Sequence, residues 1–196
     1  MATELPKNPD DVKRLVLDAA RGVYARQGYV TVTMKGVAAA AGVAPDVVRR
    51  YYNSREQLFA AAMRLPFDPG AAITALLAPG IEGLGERLVR VTLKMLAEPE
   101  TRDQLALMVR DGADAAKATA ALREFMESVF IDRVAGVLGV PDARMRVTLA
   151  MSYLVGVASA RYVMRLEPLA SASEDEVVRL VAPAVQTAPS GAGSRK

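Results

Sequence analysis

Residues 34–53 read MKGVAAAAGVAPDVVRRYYN, and their spacing is that of two short helices joined by a tight turn. Ala38 stands four residues before Gly42, and Val48 six after it. A small side chain at 38 lets two helices approach, and a glycine at 42 can take the left-handed conformation such a turn needs. Val37, Val43 and Val48 then close a small core. Pro45 falls where a first helical residue is favoured. The pattern is a helix-turn-helix, although a plain helical hairpin built around a glycine shares much of it.

Working outward, Asp10 or Asp11 can cap a first helix whose positions Val12, Leu15, Val16, Ala19, Ala20, Val23 and Tyr24 follow the three-four spacing of one buried face. Gly28 should end it as a C′ glycine. Thr33 caps the helix running to about Ala41. Downstream, Ser54 caps another, with Glu56 and Gln57 in its first turn and Leu58, Phe59 and Met63 following, until Pro66 and Pro69 stop it. Helical patterns resume around 71–78, 82–97, 99–112, 114–138, 141–166 and 173–187, separated by Pro79-Gly80, Pro99, Gly112, Gly139-Val140-Pro141 and Pro168. No strand alternation of convincing length interrupts them. The expected fold is all-α: a flexible terminus (1–9), a three-helix head (10–64), a larger helical domain (65–187) and a disordered tail (188–196).

Composition narrows the chemistry. The chain has 196 residues, 52% apolar and only 5% aromatic, with neither cysteine nor histidine. That removes disulfides, thiolate chemistry, the usual zinc ligands and every His-dependent triad. A mean hydropathy of +0.16 calls for a test of membrane insertion. The longest uncharged apolar-rich run after the linkers, 147–160, lies among Arg144, Arg146 and Arg161 and falls short of the ~18–20 residues a span needs. The amino terminus has no apolar core of a signal peptide, so no membrane partner and a cytoplasmic location are expected. Through Arg64, ten Lys/Arg meet six Asp/Glu, whereas the remainder carries fifteen against sixteen. A basic head on a nearly neutral body suits phosphate binding, as well as an ordinary solvated helix surface.

Gly28-Tyr29, Thr33, the Ala41-Gly42-Val43 turn, Val48-Arg49-Arg50-Tyr51-Tyr52 and Ser54-Arg55-Glu56-Gln57-Leu58 together resemble the TetR family of bacterial transcriptional regulators over roughly residues 10–64. The resemblance implies a homodimer on a palindromic double-stranded DNA operator, with a C-terminal domain for dimerisation and for a small-molecule effector. It places Thr33 at a phosphate and Lys35 at a base or phosphate. Ala44, Pro45, Asp46, Val47, Arg49 and Tyr51 face the groove, and Arg55 opens the fourth helix against a phosphate.

Several positions depart from the family's common pattern. Ala44 replaces a Ser or Thr, so a side-chain cap and a hydroxyl contact are lost. Gly36 replaces a helix-forming residue, Arg49 a tyrosine, Tyr51 a histidine and Asn53 a proline. Arg49 can pair bidentately with guanine or clamp a phosphate. Asp46 can accept from cytosine or simply favour a helix N-terminus. Val47 can touch a thymine methyl, Tyr51 divides between groove contact and packing, Arg50 points away, and Tyr52 reads as core.

In the C-terminal part, Ser152, Gly156 and Ala160 recur every four residues inside the uncharged run, a small-residue stripe where two helices can cross. A helix apolar on nearly every face needs more cover than one chain of this size offers, so the dimer interface is placed on 141–166, joined by 173–187. A central helix of a monomeric bundle is the alternative. Met95, Met108, Met126, Met151 and Met164, with Arg110, Asp111, Asp114, Arg161 and Tyr162, suit an apolar or amphipathic effector pocket or, equally, core and surface pairs. Glu124, Glu127 and Asp132 are the nearest approach to a carboxylate cluster. Without a phosphate loop or second acidic motif they make a poor active site, so neither enzyme chemistry nor a metal or cofactor is expected. A helical ligand-binding or adaptor protein with a degenerate head is the competing reading.

Overall fold

The structure, a computed structural model, describes residues 8–65, 67–99, 101–102 and 113–190. Among these residues every regular element is a helix. The first, α1 (Pro9–Thr31), begins earlier than the sequence reading has it. Asn8 is the cap, its side chain accepting the Asp10 N–H at 3.0 Å, and Pro9 is the first helical residue. Proline lacks the N–H that a cap would have to satisfy, so it takes the first position and leaves capping to the asparagine before it. Asp10 and Asp11 sit in the first turn instead, and residues 8 and 9 belong to the helix start rather than to a flexible terminus. Residues 1–7 lie outside the described ones.

Gly28 breaks α1, with φ 75° and ψ 179°, but a further turn follows to Thr31. Then come α2 (Met34–Ala40), α3 (Pro45–Tyr51), α4 (Arg55–Ala62), α5 (Pro69–Leu77) and α6 (Leu84–Ala97). Helix α7 (Ala113–Phe125) runs through a π turn, Met126–Ile131, into α8 (Asp132–Leu138). The long helix α9 (Ala143–Ala158) ends in a second π turn, Ser159–Val163, and α10 spans Glu174–Ser190. The last helix therefore carries residues 188–190, expected in the disordered tail; 191–196 lie outside the described residues. No helix among the described residues is long and apolar enough to cross a membrane.

The chain divides into two compact units, and the division does not follow the order of the sequence. Met1–Gly70 and Met108–Val129 form one; Ala71–Leu107 and Phe130–Lys196 form the other. The first unit is thus the helix-turn-helix head with α7 added, a helix that the sequence reading assigns to the C-terminal domain. An aromatic cluster accounts for this. Phe125 from α7 stacks on Phe59 with ring centroids 4.6 Å apart and meets Tyr29 edge-on at 5.1 Å, while Tyr24 and Tyr29 both pack edge-on against Phe59. All four rings are fully buried, and rings of this size dominate the energetics of a small core.

In the second unit, Leu84, Leu88, Val89 and Leu93 of α6 meet Val177, Val178, Val181 and Val185 of α10, with Val147, Ala150 and Leu154 of α9 completing the cluster. The α6–α10 contact is close. A Cβ on Gly85 would lie 2.7 Å from both the Ala182 carbonyl oxygen and the Gln186 nitrogen, and the Gly85 N–H donates to Gln186 Oε1 at 2.7 Å. Arg161 ties the loop before α10 by donating to the Leu169 and Ala172 carbonyls, and the Tyr162 hydroxyl donates to the Leu93 carbonyl at 3.2 Å. These two side chains, considered as ligand-orienting groups from the sequence, thus make hydrogen bonds to the chain's own carbonyls.

Candidate nucleic-acid interface

The turn between α2 and α3 is built as its residue types require. Gly42 has φ 67° with open space around a notional Cβ, so glycine is there for its backbone freedom alone. Ala38 is fully buried where the helices meet, beside Val37 and Val48, and the Val43 N–H closes the turn on the Ala38 carbonyl at 3.0 Å. Thr33 caps α2, its hydroxyl accepting the Gly36 N–H at 3.0 Å. Ser54 caps α4 by accepting from the Gln57 N–H, and the Gln57 side chain returns to accept from the Asn53 N–H. Reciprocal capping of this kind fixes where the chain turns after α3.

Helix α3 begins without a side-chain cap, because Ala44 has no acceptor to offer. Thr33, Lys35, Ala44, Asp46, Arg49 and Arg50 are exposed, and Pro45, Val47 and Tyr51 are half-buried. The structure brings these candidates onto α2, α3 and the turn joining them, with Val48 as the fully buried residue of α3. Asp46 and Arg49 form an ion pair at 3.4 Å with their side chains 89% and 67% exposed, loose enough to open for another partner at little cost. The Tyr51 hydroxyl donates to the Pro9 carbonyl at 3.2 Å, tying the end of α3 to the start of α1. Tyr52 is buried, as expected. Burial pushes its phenol above the usual tyrosine range, and does the same for Tyr24, so both rings stay neutral in the core.

Arg55 is more committed than the sequence suggests. Its Nη1 donates to the Val30 carbonyl at 3.0 Å, and its guanidinium lies 4.3 Å from the centroid of the Tyr29 ring. Glu124, met in the sequence as part of a carboxylate cluster, accepts the backbone N–H groups of Tyr29 and Val30 through one oxygen, at 2.7 and 3.1 Å. Asp132 instead stands near Arg144 at 3.3 Å. No group of three or more possible metal ligands exists among the described residues. Sequence reasoning missed Glu124 and Phe125 as parts of the head, since the partners lie 95 residues apart and no local pattern marks either.

Of the candidate effector residues, Met126 belongs to the first unit, and Met95 and Met151 to the second, all three half-buried; Met108 and Arg110 lie outside the described residues. Two grooves of the second unit have other linings. One, of about 450 Å³, runs past Glu86, Arg90, Asp175 and Arg179; the other, of about 420 Å³, past Leu169, Val177 and Leu180. On α9, Ser152 and Gly156 are exposed and Ala160 is half-buried. Met145, Leu149 and Tyr153 stand exposed at four-residue spacing beside them, on the same helix face.

Residues 16–62 match the bacterial regulatory proteins of the tetR family, and residues 82–188 match the tetracyclin repressor-like C-terminal domain. The chain belongs to the TetR family. A solved TetR-family regulator from Streptomyces coelicolor A3 is 33% identical, covers 95% of this chain and 98% of its own, and superposes with a TM-score of 0.50. The HTH-type transcriptional regulator BetI of Rhizobium meliloti (strain 1021) is 38% identical over 72 residues, a match that covers 34% of this chain and 36% of BetI. The chain thus spans about a third of the length of that curated relative. As a TetR-family member the protein is a transcriptional regulator, with a helix-turn-helix head and a helical C-terminal domain.

Proposed function

We propose that the protein is a repressor that binds a palindromic operator as a homodimer and is released by a small apolar or amphipathic effector. The observation that carries this reading is the exposed α2–α3 surface, where Thr33, Lys35, Ala44, Asp46 and Arg49 stand in solvent and Pro45, Val47 and Tyr51 border them. In this reading Lys35 and Thr33 hold phosphates, and Arg49 leaves its loose pair with Asp46 for a guanine edge or a phosphate. Arg55 offers a phosphate the donors not used on Val30. The two heads are held apart by a two-fold contact of the α9 face carrying Met145, Leu149, Ser152, Tyr153 and Gly156, a surface with the apolar character of an interface. Ala160 extends the small-residue stripe at its half-buried end.

An effector releases DNA only if it binds better to an arrangement that misplaces the heads, so its effect on operator affinity equals the operator's effect on its own. The deciding experiment is selection from fragmented genomic DNA at low salt. Recovery of a symmetric site with half-sites about one helical turn apart or somewhat more supports the reading. Failure to enrich any symmetric duplex, with or without candidate effectors, favours the adaptor reading instead.

A further inference from the structure

Where α1 breaks at Gly28, the following peptide groups lose the carbonyls that would have accepted their N–H groups one turn back, as at any new helix start. Tyr29 and Val30 carry two such donors. They are satisfied by Glu124, whose Oε2 accepts both, at 2.7 and 3.1 Å. The carboxylate therefore does the work of an N-cap side chain from far along the sequence. The backbone of Gly28, at φ 75° and ψ 179°, calls for glycine by itself, and a Cβ there would also lie 2.5 Å from Oε2 and 2.7 Å from Oε1, displacing the carboxylate. The same two residues are gripped on their other sides. Arg55 donates to the Val30 carbonyl and lies over the Tyr29 ring, while Phe59 and Phe125 pack against that ring edge-on. Three residues after Val30 comes Thr33, the cap of α2, and two further on Lys35.

We infer that Glu124 is a positioning residue for DNA binding: by fixing the bend at Gly28–Val30 it sets where α2 delivers Thr33 and Lys35. This rests on the DNA-binding reading, and the two can fail separately. The test uses the full chain, the duplex recovered by genomic selection, and the variants Glu124→Ala and Glu124→Gln. Glutamine keeps an amide oxygen able to accept both N–H groups; alanine does not. Glu124→Ala should weaken binding by about tenfold, because the Tyr29 and Val30 N–H groups lose the acceptor that fixes the bend between them and α2, and should speed hydrogen exchange at those two amides. Glu124→Gln should bind within a few-fold of wild type and keep those amides protected.

A contact that only stabilised the fold would lower the melting temperature, yet leave the affinity of folded protein unchanged well below the transition. That result, or equal damage from Gln and Ala, overturns the inference. If Glu124→Ala does not fold, Glu124→Asp takes its place, its carboxylate one methylene short of the two N–H groups: weaker binding by the folded Glu124→Asp variant beside near-wild-type binding by Glu124→Gln supports the clamp, and unchanged affinity with faster exchange at the Tyr29 and Val30 amides overturns it. Wild-type protein that retains no duplex overturns the DNA-binding reading and this inference with it, whereas wild-type binding that Glu124→Ala leaves untouched overturns this inference alone.

Discussion

Helices α3 and α9 each turn a side to solvent, and the two sides have opposite chemistry. On α3 the exposed groups are Asp46, Arg49 and Arg50, held loosely enough that water or another partner can replace what they touch. On one side of α9 they are Met145, Leu149 and Tyr153, beside a serine whose hydroxyl is turned back to donate to the Thr148 carbonyl of its own helix at 2.9 Å. A charged face can trade water for phosphate and base edges while still partly wet. An apolar face gains only when a partner excludes water from it altogether. Exposure by itself therefore says little about use, and it is the chemistry of the exposed groups that separates the surface proposed for nucleic acid from the one proposed for a second copy.

The largest expected effect breaks the apolar side. Gly156 has open space around a notional Cβ, so Gly156→Leu should leave the single chain's helical signal intact. In a two-fold contact the added side chain is met twice, and at ~1–3 kcal/mol for each overpacked position the dimer should dissociate or misassemble. Operator affinity then drops although the head is untouched, because one half-site contact replaces two linked ones. Light scattering decides the matter, and an unaltered, well-folded dimer would move the interface off this face.

On the charged side, Arg49→Ala should lower affinity and relax preference at one position in each half-site by ~1–3 kcal/mol. Equal losses on operator and random duplex would reject base readout by Arg49. A smaller and more uniform change is expected from Lys35→Ala, which should weaken all duplexes alike and reduce the magnitude of the salt slope by about one unit. A sequence-dependent loss there would assign Lys35 to bases. The smallest effect belongs to Asp46→Ala. The exposed pair with Arg49 contributes no more than ~1 kcal/mol to stability, so thermal unfolding should barely move. If α3 enters the groove as proposed, removing a negative charge near the duplex should still raise affinity for random DNA slightly, and a fall would give Asp46 a base of its own.

The head's local architecture was legible because its signals are local. Gly42, Ala38, the valines around them, and the caps Thr33 and Ser54 each act within a few residues, so spacing alone locates them. The true cap of α1 was also written in the sequence, as asparagine followed by proline, but the acidic pair Asp10-Asp11 competes for the same reading and only the missing proline N–H decides between them. Gly28 carried half its message. Its positive φ was expected of a terminating glycine, while the carboxylate that a side chain there would displace comes from the other end of the chain's first unit. The dispersed methionines show the opposite case. Their type suits a cavity and a core equally, and nothing in their spacing says which helices they share.

The grip of Glu124 and Phe125 on the head bears on how regulators of this kind can be recombined. A chimera that moves residues 9–64 onto a different body leaves α7 behind, and with it the ring stacked on Phe59 and the acceptor for Tyr29 and Val30. The transplanted piece would carry every residue proposed to touch DNA and still lack one wall of its own core. On the DNA-binding reading the portable unit of operator recognition should therefore be discontinuous, and an exchange of specificity should succeed only when residues 113–125 travel with the helix-turn-helix.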